Sequence, residues 1–322
     1  MTESIVPQTF RDMPRWWSEG TTWLDSLPER IRQQCDVWDL TPDGTAWHGS
    51  NALVLPVRRG NQPCVLRLAP PDERTRGELA ALEFWRGRGT VLQYEADADA
   101  GAALLERLDG DRTLGRLALE PAAEILGTIM RRLAVPLDDH DVPSTAGIIS
   151  NRLDELERDW NDAGEPFDRS LLADAVAVGR SLTGITDAVA VNGDLHHDQV
   201  LAGVREPWLV VDPIRLRGDI GYDLARALWW RLDEMPDDRT IRSQLTVIGD
   251  AAGLDRDHAR AATIFRTVDY WLWGLRNGLT EDPVRCARLL AAVREEPSLH
   301  RGRRAAGLAA GDRRQPATRS AR

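Results

Sequence analysis

Asp194, Gln199 and Asp212 are the side chains whose types and order point most directly to chemistry. They lie in the run VNGDLHHDQVLAGVREPWLVVDP, residues 191–213. Its apolar start ends at Asn192-Gly193, a turn-forming pair that puts the next side chains on a loop. Val200-Leu201 and Trp208 to Val211 then read as a hairpin that delivers Asp212 at the end of its second strand. This layout suits phosphoryl transfer. One carboxylate accepts the proton of an attacking hydroxyl or orients it. An amide oxygen and a second carboxylate hold the magnesium ions that bridge the phosphates.

The surrounding pattern describes the elements that must position these groups. Residues 16–38 show helical spacing, with Pro28 opening a second helix after Leu27. From Leu40 the period changes: 52–57 and 64–68 read as strands, separated by Arg59-Gly60-Asn61. Glu78 to Trp85 is helical, with Leu79, Leu82 and Trp85 on one side. Residues 101–106 give a further strand, broken by Asp109-Gly110-Asp111. Helical spacing then dominates as far as His300, interrupted near 189–212. The fold expected is α+β and bilobal: a small mixed N-terminal lobe over 1–108, a large helical lobe carrying the catalytic loop over 109–300, and a basic, disordered tail over 301–322.

Composition excludes several classes. At 322 residues and 42% hydrophobic content the chain can build two lobes around a cleft. No run approaches the roughly 18 apolar residues of a membrane span, and no secretory signal pattern opens the sequence, so a cytoplasmic protein is expected. Cys35, Cys64 and Cys286 are odd in number and far apart, which indicates neither a disulfide framework nor a metal cluster. A net charge of −10 argues against a nucleic-acid partner. All 41 basic residues are arginine, so any site that would ordinarily use lysine must use arginine here. Residues 301–322 hold seven of those arginines with one acid.

The 191–213 run resembles the catalytic loop and metal-binding strand of the aminoglycoside phosphotransferases, relatives of protein kinases, whose loop reads approximately His-Gly-Asp-Leu-His-x-x-Asn. EPWLVVDP (206–213) followed by GDIGYDLA (218–225) resembles the streptomycin 6-phosphotransferase and hydroxyurea phosphotransferase branch. The likeness runs from about Leu40 to about Gly278. It implies a protein-kinase-like fold, ATP and Mg²⁺ as cofactors, and a small-molecule acceptor with a hydroxyl group. Asp194 matches the catalytic aspartate and Asp212 the metal-binding one. Gln199 stands where the family has Asn; it keeps the amide oxygen on a side chain one methylene longer, and maltokinase-like relatives are similar there. His196 matches a family histidine, while His197 and Asp198 read as solvated. Asp219 and Asp223 are expected to tie down the catalytic loop and the helix that follows.

In VLRL (65–68), Arg67 takes the position of the family's phosphate-pairing lysine, and Glu78 of ELAALEFW (78–85) that of its glutamate partner, with Glu83 a competitor. A guanidinium can fork onto two phosphate oxygens, though with a reach and planarity unlike an ammonium's. DGT (43–45) to HGS (48–50) reads as a nucleotide-covering loop, and Glu106 and Leu108 as the hinge that meets adenine. Asp233, Glu234, Asp269, Trp271 and Trp273 are candidates for acceptor recognition. The function expected is ATP-dependent O-phosphorylation of an aminoglycoside, streptomycin-like, or of a related amino-sugar compound. Two alternatives stand beside it: a metabolic sugar or amino-sugar kinase, prompted by Gln199, and a pseudokinase that binds nucleotide or partner without turnover, prompted by Arg67 and Gln199 together.

Overall fold

In the computed structural model, residues 5–185 and 189–294 are described; the basic 301–322 segment lies outside them. The chain opens with three helices, α1 (Gln8–Arg11), α2 (Arg15–Glu19) and α3 (Thr22–Trp38). Pro28 lies inside α3 and does not open a new helix. Leu24, Leu27 and Ile31 form one buried face, and their burial carries the helix through the proline.

Seven strands follow, with one helix among them: β1 (Thr41–Pro42), β2 (Trp47–His48), β3 (Leu53–Arg59), β4 (Gln62–Leu68), α4 (Glu73–Trp85), β5 (Gln93–Asp97), β6 (Ala102–Glu106) and β7 (Asp109–Thr113). All but β7 form one antiparallel sheet in the order β1-β3-β4-β6-β5, with β2 also on β3. Gly60 supplies the positive φ, 59°, that turns β3 into β4. The period of two then sorts the sheet's faces. Leu53, Leu55, Val57, Leu66 and Leu104 pack against Phe10, Leu24, Leu27 and Ile31 of the opening helices. Val54, Val65, Arg67 and Leu105 point the other way, into a cleft. Asp72 caps α4 by accepting from Thr75 N at 2.8 Å, and Arg86 ends it in the left-handed region.

The Asp109-Gly110-Asp111 stretch is not a break. It lies in β7, which pairs antiparallel with the catalytic hairpin in a three-stranded sheet ordered β10-β9-β7 once the chain returns. Helices α5 (Leu119–Leu133), α6 (Thr145–Leu153), α7 (Leu156–Asp162) and α8 (Arg169–Leu182) precede β8 (Ala190–Val191), β9 (Val200–Ala202), β10 (Trp208–Val210) and β11 (Leu216–Arg217). The chain then turns helical through α9 (Leu224–Trp230), α10 (Asp238–Ala252), α11 (Arg256–Arg276) and α12 (Glu281–Arg294). One large core joins these helices, and Trp85 of α4 reaches into it, donating Nε1–H to Leu133 O at 2.9 Å. Leu79, Leu82, Leu105, Leu108 and Leu209 form a smaller core between sheet and hairpin. Among the described residues no helix is long and apolar enough to cross a membrane. The three cysteines are buried free thiols.

Candidate active site

The catalytic loop begins where β8 ends, and the turn there admits only glycine. Gly193 has φ 83°, and a Cβ on it would come 2.6 Å from Leu216 Cδ1. Three contacts then lock the loop. Asn192 Oδ1 accepts from Ile214 N at 3.1 Å, Asp223 Oδ1 accepts from Leu195 N at 3.4 Å, and Val211 N donates to Gln199 O at 2.8 Å. The start of the loop, its Gln199 end and the Asp212 segment are therefore held as one unit. Asp223 is fully buried; burial pushes its carboxyl up to about 7, against the Leu195 and Gly193 N–H groups that favour the anion. Asp219 caps the turn before α9 through Gly221 N and meets His258 Nε2 at 2.9 Å. Both acids therefore serve the scaffold.

β9 and β10 pair as Val200↔Val210, Leu201↔Leu209 and Ala202↔Trp208, and Asp212 follows with φ 50°. A non-glycine residue there is uncommon and marks a position where the surroundings overrule the local preference. Its carboxylate faces Arg67, whose Nε donates to Asp212 Oδ1 at 2.9 Å. Arg67 Nη2 pairs with Glu78, which Arg74 also approaches at 3.2 Å. Arg67 and Glu78 side chains are each 5% exposed, while Asp212 is 44% exposed. Burial alone would depress the guanidinium's pKa, but the Asp212 and Glu78 charges hold it above its ordinary value. Glu83 is an exposed partner of Arg86 and does not compete for Arg67.

These groups edge a cleft of about 250 Å³. Val54, Val65, Val91, Leu105, Leu108, Leu201 and Val211 form its apolar walls, and Trp47, His48, Gly49, Arg67, Glu106 and Asp212 its rim. An apolar slot ending in charge suits a flat base at one end and phosphates at the other. The Glu106 side chain accepts from Leu92 N at 3.2 Å and pairs with Arg205 at 2.9 Å, fixing the hinge. Gln199 Oε1 is buried and makes no hydrogen bond, a free acceptor beside the Asp212 segment. An amide oxygen and a carboxylate are both hard oxygen donors, the kind of ligand that magnesium takes.

Asp194 lies on the other side of the loop, about 30% exposed, and accepts from Arg226 Nε at 2.7 Å. Arg226 also lines a hollow of about 40 Å³ with Trp229, Arg266 and Tyr270. Two features escaped the sequence reading. His197 is buried at 2%, and Asp198, though exposed, accepts from Thr113 Oγ1 and from Trp230 Nε1. Burial pushes His196 down to about 3 and His197 to about 4, so both imidazoles are neutral. The acceptor candidates are largely spoken for. Asp269 pairs with Arg152 at 2.6 Å, Asp233 with Arg285 at 3.1 Å and Glu234 with Arg231. Trp271 packs beside Phe167, whereas Trp273 is exposed and stacks on Tyr270.

The fold is shared with aminoglycoside phosphotransferase APH(4)-Ia, whose crystal structure superposes with a TM-score of 0.56 at 17% identity, over 83% of this chain and 98% of that one. Two curated proteins are similar in sequence. Streptomycin 6-kinase of Streptomyces glaucescens is 34% identical over 267 residues, 81% of this chain and 87% of its own length. Hydroxyurea phosphotransferase of Kitasatospora aureofaciens is 35% identical over 284 residues, 83% of this chain and 78% of its own length. The family model described as aminoglycoside/hydroxyurea antibiotic resistance kinase matches residues 37–278, a span that holds Arg67, Glu78, Asp194, Gln199 and Asp212. With its protein-kinase-like fold, this chain belongs to the aminoglycoside/hydroxyurea antibiotic resistance kinase family.

Proposed function

We propose that the chain is an ATP-dependent O-phosphotransferase whose acceptor is a hydroxyl of a small polar molecule, a streptomycin-like aminoglycoside or a related amino-sugar compound. One observation carries this reading. A single rigid loop and hairpin present Asp194, Gln199 and Asp212, and Asp212 meets Arg67 at the rim of an apolar cleft. Arg67, anchored on Glu78, turns its charge toward the phosphates of the nucleotide. Leu105 and Leu108 border the adenine, with the backbone of Glu106 at the hinge. Asp194 receives the acceptor's hydroxyl proton as the oxygen bonds to the terminal phosphorus and the bond to the bridging oxygen breaks, which releases ADP. Gln199 and Asp212 would hold magnesium, which would supply positive charge to offset that of the phosphates.

The test is a screen of ATP consumption against aminoglycosides, hydroxyurea, hexoses and hexosamines, each with and without magnesium. Turnover with a hydroxyl acceptor supports the reading, and nucleotide binding without turnover on any acceptor favours the pseudokinase. A second reading, a kinase of neutral sugars or amino sugars, draws on one observation. Asp233, Glu234 and Asp269 are each paired with an arginine, which leaves these three without a free charge for a polycation. The same screen separates the two by the acceptor that wins.

A further inference from the structure

Three alternate residues of the catalytic loop, Asp194, His196 and Asp198, are engaged by one face of α9. Arg226 Nε donates to Asp194 Oδ1 at 2.7 Å. Trp230 stands four positions on, which returns to the same face of a helix. Its ring stacks on His196 with centroids 3.8 Å apart and planes 16° from parallel, and its Nε1–H donates to Asp198 Oδ2 at 2.8 Å. The Arg226 guanidinium lies over the Trp230 ring at 4.8 Å and the Trp229 ring at 5.5 Å. Asp198 is held from its far side as well. Thr113 Oγ1 donates to its Oδ1 at 3.2 Å, and a Cβ on Gly115 would come within 2.1 Å of that oxygen. The loop, whose His197–Gln199 end is a 3₁₀ turn, thus docks on a helix through residues spaced four apart.

We propose that Arg226 is a positioning residue for phosphoryl transfer, held flat by Trp230 and acting through Asp194. The inference rests on the phosphotransferase reading. Arg226 occupies Oδ1, which leaves Oδ2 as the oxygen to meet the acceptor hydroxyl. The pair is 26% and 30% exposed, a regime in which ion pairs add little to stability, so its consequence is orientation. Trp230 sets the reach of the guanidinium and, through His196 and Asp198, ties that reach to the loop carrying Asp194.

The experiment uses the full chain with an acceptor found by the screen, and compares wild type with Arg226→Ala, Arg226→Lys and Trp230→Phe. Arg226→Ala is expected to lower kcat by about 10²-fold and to leave the nucleotide Kd nearly unchanged. Adding guanidinium at non-denaturing concentration is expected to restore part of that loss, a rescue that a purely structural role would not give. Arg226→Lys keeps the charge without the fork and is expected to recover only part of kcat. Trp230→Phe keeps the ring on His196 but loses the donor to Asp198, and is expected to fall between Arg226→Ala and wild type. Wild-type kcat in Arg226→Ala overturns the proposal. So does a loss of kcat matched by an equal loss of nucleotide affinity without guanidinium rescue. Should Arg226→Ala fail to fold, full wild-type kcat in both remaining variants overturns it. Absence of turnover by the wild type on every acceptor refutes the phosphotransferase reading itself, whereas turnover with an indifferent Arg226 refutes only this assignment.

Discussion

Arg67 Nε lies 2.9 Å from Asp212 Oδ1, so a cation on the small sheet and the last carboxylate of the catalytic hairpin meet at the rim of the cleft. The same guanidinium is anchored by Glu78 from α4. The three charges form a chain from α4 through the small sheet to the hairpin, at the rim of the cleft proposed for the nucleotide. A lysine, with one charge centre, could not spread its donors over both carboxylates in one plane.

Arg67→Ala is expected to lose at least about tenfold in nucleotide affinity, through the missing charge-assisted contact. It should also lose about 1–3 kcal/mol of stability, because the buried Glu78 keeps only the exposed Arg74 as a charged partner. Arg67→Lys is expected to recover much of the stability but not the activity. Calorimetric nucleotide titration alongside urea denaturation checks both. Equal nucleotide affinity in wild type and Arg67→Ala would remove Arg67 from the site.

Asp212→Ala is expected to abolish the dependence of nucleotide affinity on magnesium, since its 44% exposed carboxylate is the charged oxygen proposed to hold the ion. Its Kd for ATP should be the same with and without the ion. Magnesium that still tightens ATP binding in the variant as in the wild type counts against the role.

Gly193→Ala is expected to destabilise the fold by about 1–3 kcal/mol, because φ 83° disfavours any side chain and the new methyl meets Leu216 at 2.6 Å. Chemical denaturation measures it. A variant as stable as the wild type would show that the turn before Asp194 can relax.

Stability should fall with acid in a way that His197 partly sets. Unfolded, its imidazole binds a proton near pH 6.5; folded, burial holds it to about 4. Between those values the unfolded state binds more protons, so this contribution is present above pH 6.5 and is lost as pH falls toward 4. At pH 5 the loss amounts to about 2 kcal/mol. Asp223 acts in the opposite sense. Its folded value of about 7 lies above the ordinary 3.8, so its contribution favours the fold at low pH and is lost as pH rises through 7. Comparing each protein with itself isolates the histidine: His197→Asn should lose about 2 kcal/mol less than wild type between pH 8 and pH 5. Identical losses in urea midpoints would contradict it.

Much of the site was readable because local pattern and chemistry coincide there. Alternation along 64–68 puts Leu66 in the core and Arg67 in the cleft, and the hairpin of 200–211 delivers Asp212 as its spacing predicts. What was not readable depends on partners distant in sequence. Asp109 to Thr113 carry turn formers yet form a strand because β9, from the catalytic hairpin, supplies the ladder. Pro28 resembles a helix start, but the buried Leu24, Leu27 and Ile31 face extends the helix past it. Two adjacent histidines on a loop have no periodicity to report that His197 is buried. The Trp229-Trp230 pair reads the same in sequence whether it fills a lobe or braces a loop. The contacts of Trp230 with the catalytic loop appear only once α9 is docked.

If Asp194 receives the acceptor's proton, Asp194→Asn keeps the site and loses the base. The amide keeps the shape and can still accept from Arg226 through its oxygen, so fold and nucleotide affinity are expected to survive. Turnover measured at saturating ATP and acceptor is expected to fall by about 10²–10⁴-fold, the usual range for a lost general base. A variant that retains more than about a third of the wild-type kcat, far above that range, would contradict the account.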